Sequence, residues 1–308
     1  MSDLRPKLIV VCGPTATGKT DLAVNLAERF DGEIVNADSM QVYRYMDIGT
    51  AKPTPEERAR ASFHLIDVAD PDDTFSAGRF KELADRAIAA MIEHGRLPIV
   101  AGGTGLYIKA LTRGLVEGPS ADPELRRRYK QQEEESPGSL HRRLQEIDPA
   151  RAVEVNPADY VRIERSLEVF DLTGTPMSQW QSEHGFAELP YEVLQIGIHR
   201  EKEDLAAACD TRVETMMASG WLNEVRQLRT RGYGPELPSQ MAIGYKELHQ
   251  FLDDRINLDE AVAQMKATTR KYAKRQRTWF GADETIHWVP TDIALPRAIE
   301  MTTSFLSM

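Results

Sequence analysis

The chain has 308 residues and a formal net charge of −10, with 41% hydrophobic and 28% charged residues. At roughly 150 residues per domain that is one large domain or two ordinary ones, and the composition excludes wholesale disorder and a fibre. Taken as an average, the acidic balance also argues against a nucleic-acid partner, because phosphate backbones recruit basic surface. Cys12 and Cys209, the two cysteines, form neither a disulfide framework nor a Cys-x-x-Cys site, and the seven histidines are scattered, which argues against zinc. The first residues show no secretory leader, and no run approaches the roughly 20 apolar residues of a membrane span. The composition therefore reads as cytoplasmic, with nothing pointing to a membrane or to an obligate protein partner.

Residues 7–12 (KLIVVC) form a short β-branched run ending in Gly-Pro, the mark of a buried strand. Leu22, Ala23, Leu26, Ala27 and Phe30 then follow helical spacing. Residues 33–36 and 64–68 read as further strands. Phe80, Leu83, Ala84, Ala87, Ile88, Met91 and Ile92 trace a helix that Gly95 ends. A strand over 97–101 and a helix over 106–110 follow. This alternation predicts a parallel sheet with helices on its faces. From residue 118 to 190 the chain turns strongly charged and helical, broken at Pro123, Pro137, Pro149, Pro157 and Pro176. Residues 191–198 resume the sheet, and helices run on to Phe280. The reading is an α/β core (1–117 and 191–308, with C-terminal helices) carrying a helical insertion domain (118–190), and the run GPTATGKT at residues 13–20 makes that core P-loop NTPase-like.

Gly13, Pro14, Thr15, Ala16, Thr17, Gly18, Lys19 and Thr20 fit G-x-x-x-x-G-K-[ST], between a predicted strand and a predicted helix. Glycines let successive N–H groups turn inward as an anion nest at the positive end of a helix. Lys19 adds a point charge, and the Thr20 hydroxyl suits Mg2+. The loop specifies a diphosphate or triphosphate but not its fate. Hydrolysis or phosphoryl transfer stays open, with Asp67 as a Walker-B-like carboxylate and Arg126, Arg127 and Arg128 as a lid. Asp38 follows the second strand, at the sheet edge where ligands bind, and a turn-capping role is equally open. Thr104, after Gly102 and Gly103, either caps the next helix or serves the chemistry.

The runs GPTATGKTDLA, IVNADSMQVYRYMDIGTAKP, HLIDVADPDDTFSAGRF and VAGGTGLYIKAL resemble bacterial tRNA dimethylallyltransferases, also called tRNA isopentenyltransferases. RVETMMASGWLNEV, AIGYKEL and TRKYAKRQRTWF agree in order, so the resemblance spans residues 7–288. It implies transfer of a dimethylallyl group from dimethylallyl diphosphate to the exocyclic N6 amine of the adenosine at tRNA position 37, beside the anticodon. It implies that the P-loop holds the donor's diphosphate with Mg2+ and that Arg212 adds a cation to it. It implies Asp38 as general base and Thr104 as its hydrogen-bonding partner at the reacting centre. Asp38, Ser39, Met40 and Gln41 are then expected to line the pocket of an extruded adenosine. Arg126 and the run Arg162, Ile163, Glu164, Arg165 and Ser166 are expected to grip the anticodon stem-loop. Ile243, Gly244, Tyr245, Lys246, Glu247 and Leu248 are expected to add contacts.

Charge position supports an RNA partner where the charge sum does not. Residues 261–282 hold no Asp or Glu and six basic residues: Lys266, Arg270, Lys271, Lys274, Arg275 and Arg277. Tyr272, Trp279 and Phe280 lie among them, and a basic helical stripe with interleaved aromatics is a footprint for loop RNA. A small-molecule kinase needs no such stripe, and an RNA-binding ATPase remains the alternative.

Overall fold

The computed structural model describes residues 5–115, 118–184 and 188–308. The expectation of no leader over residues 1–4 and the expected boundary at 117 lie outside the described residues. The chain divides into two compact units, Met1–Thr112 with Leu189–Met308, and Arg113–Glu188.

The first unit begins β1 (Lys7–Cys12), α1 (Lys19–Phe30), β2 (Gly32–Asn36), α2 (Pro55–Arg60), β3 (Phe63–His64), α3 (Ala77–Glu93), β4 (Leu97–Ala101) and α4 (Gly105–Arg113). The second unit is helical: α5 (Pro123–Glu135), α6 (Ser139–Ile147), α7 (Pro149–Glu154), α8 (Tyr160–Thr173) and α9 (Met177–His184). The first unit resumes with β5 (Glu192–His199), α10 (Lys202–Ala218), α11 (Trp221–Thr230), α12 (Tyr245–Leu252), α13 (Leu258–Gly281), β6 (Ile286–Pro290) and α14 (Ala294–Ser307).

Six strands form one parallel sheet in the order β3-β2-β4-β1-β5-β6. Side chains alternate across the sheet, so β1 serves two cores. Ile9 and Val11 pack with Leu22 and Leu26 of α1 and with Ala298 and Phe305 of α14. Leu8, Val10 and Cys12 pack on the opposite face with Phe80, Ala84 and Ile88 of α3 and Ile108 and Leu111 of α4. Both faces are covered, which is why the strands read as continuous apolar runs.

One sequence expectation changes, and one stretch left without a reading is filled in. The strand expected at 64–68 is only Phe63–His64, because Leu65 and Asp67 adopt left-handed backbone (φ 63 and 59). The chain then leaves the ladder, and the amides of Val68 and Ala69 donate to the Val42 carbonyl at 2.9 and 3.0 Å. The tail beyond Phe280 is structured: β6 extends the sheet beside β5, and Ala294, Ala298, Thr302 and Phe305 form the buried stripe of α14.

The second unit has its own core, with Leu125 and Tyr129 of α5 packed against Leu140 and Leu144 of α6 and Ile163 and Leu167 of α8. Glu168, its side chain fully buried, accepts two hydrogen bonds from Arg126 at 2.8 Å each and one from Arg165 at 2.6 Å. Burial opposes ionisation of this carboxyl, but the two guanidiniums and the Asp122 amide outweigh it and hold the pKa at about 2. This stabilisation is present above the ordinary carboxyl value of 4.5 and is lost as the pH falls through about 2. Glu168→Ala leaves Arg126 and Arg165 without their shared partner and is expected to destabilise the second unit by about 3–5 kcal/mol in urea unfolding at pH 7.

Candidate active site

The loops after β1, β2 and β4 meet at the carboxyl edge of the sheet, where ligands bind in open parallel sheets. Close backbone approach locks them together. The Gly102 amide donates to Val11 O at 3.1 Å and the Thr104 amide to Ala37 O at 3.1 Å. A Cβ at Gly102 would collide with the Ala37 carbonyl, and Gly13, at φ 133, passes against the Ile198 carbonyl of β5. The sequence needs glycine at both points because no side chain fits.

The P-loop curls through left-handed backbone at Ala16 and Gly18 (φ 62 and 85). Thr17 Oγ1 donates to Pro14 O at 2.9 Å, and Lys19 Nζ donates to the same carbonyl at 2.6 Å. Ala16 rests on Leu205, Cys209 and Ala273 of α10 and α13. Gly18, as N-cap of α1, offers no side-chain acceptor, which leaves first-turn amides to an external acceptor. A cavity of about 310 Å3 lies over the loop, lined among others by Lys19, Thr20, Asp38, Arg212, Tyr272 and Gln276. Burial, and then the charge of Arg212, pull the Lys19 pKa down to about 8, and burial also lowers that of Arg212. Two cations sharing a cavity, neither in an ion pair among the described residues, describe an anion site.

A second cavity of about 300 Å3 adjoins it, lined by Ser39, Met40, Ile243, Tyr245 and Arg275 among others. Thr15, Asp38, Arg212 and Tyr272 face both cavities. Asp38 Oδ1 accepts from the Met40 amide at 2.8 Å and the Gln41 amide at 3.4 Å, so the turn-capping role is real. Oδ2 has no hydrogen-bond partner among the described residues. Thr104 Oγ1 accepts from the Ser39 amide at 2.9 Å and donates to Ser39 Oγ at 3.3 Å, so this hydroxyl ties the β2 loop to the β4 loop. A wider groove, about 1160 Å3, touches Ala16, Gly18 and Arg212 but neither Lys19 nor Asp38, so its size does not make it the chemical centre. Asp67 lies elsewhere, paired with Lys52 at 2.6 Å and Arg58 at 3.4 Å, and does not line the anion cavity.

The residues expected to meet RNA divide by burial. Gln41 is buried, its Nε2 donating to the Thr50 and Ala51 carbonyls at 3.0 Å each. Ile243 and Tyr245 line the second cavity and Lys246 is exposed, whereas Gly244 packs on Trp221, Glu247 caps α12 and Leu248 is core. In the second unit Ile163, Glu164 and Ser166 face inward, and Arg126, Arg162 and Arg165 keep exposed guanidinium surface. On α13 Lys266 and Arg270 are bound to Glu214 and Asp210 of α10. Lys271, Lys274 and Arg275 remain exposed and Arg277 half-buried, while Arg275 also lies over the Tyr272 ring at 5.8 Å.

Three supporting residues carried no individual signal in the sequence. The Glu224 carboxylate accepts from the amides of Asp47, Ile48 and Gly49 at 2.8, 2.7 and 3.1 Å and from Tyr245 Oη at 2.7 Å. Trp221 wedges between Gly49 and Gly244, where a Cβ at either would run into its ring. Gln276 reaches from α13 to the P-loop. Trp221 and Glu224 lie in the GWLNEV run and Gln276 in KRQRTWF, but only long-range contacts reveal their work.

A family model described as IPP transferase matches residues 41–283. A tRNA dimethylallyltransferase 1 of Pelobacter propionicus is 50% identical over 285 residues, covering 92% of each chain. The crystal structure of a full-length tRNA isopentenylpyrophosphate transferase from Bacillus halodurans is similar at TM-score 0.73 and 38% identity, covering 98% of this chain and 96% of that one. A eukaryotic dimethylallyltransferase described as acting on tRNA is similar at TM-score 0.84 and 29% identity, over 98% of this chain and 80% of that one. The P-loop and Asp38 precede the matched part of the family model.

The Lys19 value fixes a pH dependence. An anion favours the protonated lysine, so above about 8 binding must take up a proton. The affinity for inorganic diphosphate, measured by calorimetry, is expected to fall as the pH rises through 8, approaching about tenfold per pH unit for one linked proton. Lys19→Gln should weaken binding and flatten that profile.

Proposed function

The chain belongs to the IPP transferase family of tRNA dimethylallyltransferases, and from that premise we propose the following reaction. The enzyme transfers a dimethylallyl group from dimethylallyl diphosphate to the N6 amine of adenosine 37 in the tRNA anticodon loop, in the cytoplasm, giving N6-dimethylallyladenosine and diphosphate. The observation that carries it is the placement of Asp38 at the junction of an anion cavity and a second, partly apolar cavity.

The donor's diphosphate lies in the anion cavity, held by P-loop amides, Lys19 and Arg212. The allylic carbon–oxygen bond breaks with its electron pair moving to the diphosphate, and these preorganised donors stabilise the charge that develops there. The adenosine is extruded into the second cavity, beside Ser39, Met40 and Tyr272. Its N6 lone pair forms the new bond to the allylic carbon, and the proton lost from N6 passes to Asp38. Thr104 holds the Ser39 segment of that cavity in place.

The donor set suits Mg2+. Among the described residues no three His, Cys, Asp or Glu side chains gather, so no all-protein cage exists there. The Thr20 hydroxyl, which lines the anion cavity, is a hard oxygen donor, and Mg2+ is commonly held by one or two protein groups together with substrate phosphates and water. Bound there, the ion would neutralise diphosphate charge. The exposed groups of α13 and of Arg126, Arg162 and Arg165 are the proposed contacts to the stem-loop phosphates. Among the described residues no helix is long and apolar enough to cross a membrane.

Labelled dimethylallyl diphosphate, Mg2+ and an anticodon stem-loop are expected to yield labelled adenosine; brisk ATP hydrolysis without it would sink this reading. Asp38→Asn should lower transfer by about 10²–10⁴-fold, the range for removal of a general base, with donor affinity nearly unchanged. Reversing charge at Lys274, Arg275 and Arg277 should weaken tRNA binding and reduce its salt slope by about 0.7–0.9 for each phosphate that is no longer neutralised. An unchanged slope would mean that this face does not meet RNA.

A further inference from the structure

Gln276 is 5% exposed, yet it sits in the middle of the basic stretch of α13, flanked by Arg275 and Arg277. Both ends of its amide are engaged. Oε1 accepts from the Thr15 amide of the P-loop at 2.8 Å, and Nε2 donates to the Gly103 carbonyl at 2.9 Å. One side chain therefore bridges the loop that carries Lys19 and Thr20 to the loop that carries Thr104. The fit is tight, because a Cβ at Gly103 would collide with the Gln276 amide nitrogen and with nothing else at close range. The Thr15 N–H is also committed to a protein acceptor, which leaves the anion to the later amides of the loop.

We infer that Gln276 is a positioning residue, resting on the transfer reaction above: its amide sets the spacing between the diphosphate loop and the Thr104 loop. Gln276 shares one helix with Lys274 and Arg275. The element that offers charge to the RNA thus also fixes where the donor's leaving group sits. Two substrates are registered against one rigid rod, and a loosened P-loop would misplace the allylic carbon relative to the amine. A misplacement of about 1 Å in such a geometry costs on the order of 10²-fold in rate.

The test is a double-mutant cycle on transfer of labelled dimethylallyl to an anticodon stem-loop. Gln276→Ala removes both hydrogen bonds. Gly103→Ala leaves Gln276 in the chain but displaces its amide. Each single variant is expected to lower kcat by about 10- to 100-fold, with RNA affinity within about twofold of wild type. The double variant should be no slower than Gln276→Ala, because the shortened side chain makes room for the new methyl group. Wild-type kcat in Gln276→Ala overturns the inference, as do losses that multiply in the double variant or RNA affinity that falls in step with kcat. Should Gln276→Ala fail to show a cooperative melt, Gly103→Ala decides alone: reduced kcat with an intact melt supports the bridge, and wild-type kcat overturns it. Absence of labelled RNA from the wild-type enzyme is a separate failure, which removes the reaction itself.

Discussion

Lys19 and Arg212 share one cavity, and among the described residues neither has a carboxylate bound to it. Desolvation pushes both pKa values down, and the charge of Arg212 adds to the shift on Lys19. The fold sustains this arrangement because the surrounding elements are held by other means: the sheet ladder under the P-loop, the apolar contact of Ala16 with α10 and α13, and the close approach of Gly102 to Ala37. Half-buried positive charge without a paired carboxylate is energy held ready for an anion. Asp38 lies near enough to offset part of it but lines the neighbouring cavity as well, so its carboxylate faces both spaces.

The supporting framework is distributed around that charge. Glu224 gathers three consecutive amides of the 47–49 segment, and Gln41 fixes Thr50 and Ala51 from the other side. Trp221 and Tyr245 meet edge to face at 5.7 Å, closing the wall of the second cavity. None of these groups needs to touch a reacting atom. They hold loops, which by themselves would have no fixed position, to rigid helices.

What was legible in the sequence follows from how local each signal is. The P-loop, the strand before it and the helix after it occupy consecutive residues, so spacing alone identified them. Spacing placed Asp38 and Thr104 only at the ends of strands, where a cap explained each equally well; the resemblance alone gave them chemical roles, and the structure adds the adjoining cavities and the Ser39 contact. Gln276 gave no signal because its partners are 173 and 261 residues away, and Glu224 gave none because the three amides it gathers are 175 to 177 residues away. Ile163 and Ser166 sit in a run of charged residues, and only the packing of α8 shows that they point inward. The stripe on α13 was correct as a count of charges, but Glu214 and Asp210 of α10 neutralise two of them, which no reading of α13 alone could reveal. The tail went unread because it lacks a motif, although Ala294, Ala298 and Phe305 carry an ordinary helical spacing.

The central position of β1 has a consequence for how the chain is made. Its partners are β4, at Leu97–Ala101, and β5, at Glu192–His199. β1 is thus flanked by strands that are synthesised much later than itself, one of them after the whole second unit. Until then KLIVVC is a short, β-branched segment, uncharged but for Lys7, with both edges open, the type of sequence that pairs with the wrong partner. Long-range parallel pairing is slow to form. The second unit, with its own core, can fold while β1 waits, so synthesis order leaves β1 as the segment with the longest exposure among the sheet's central strands.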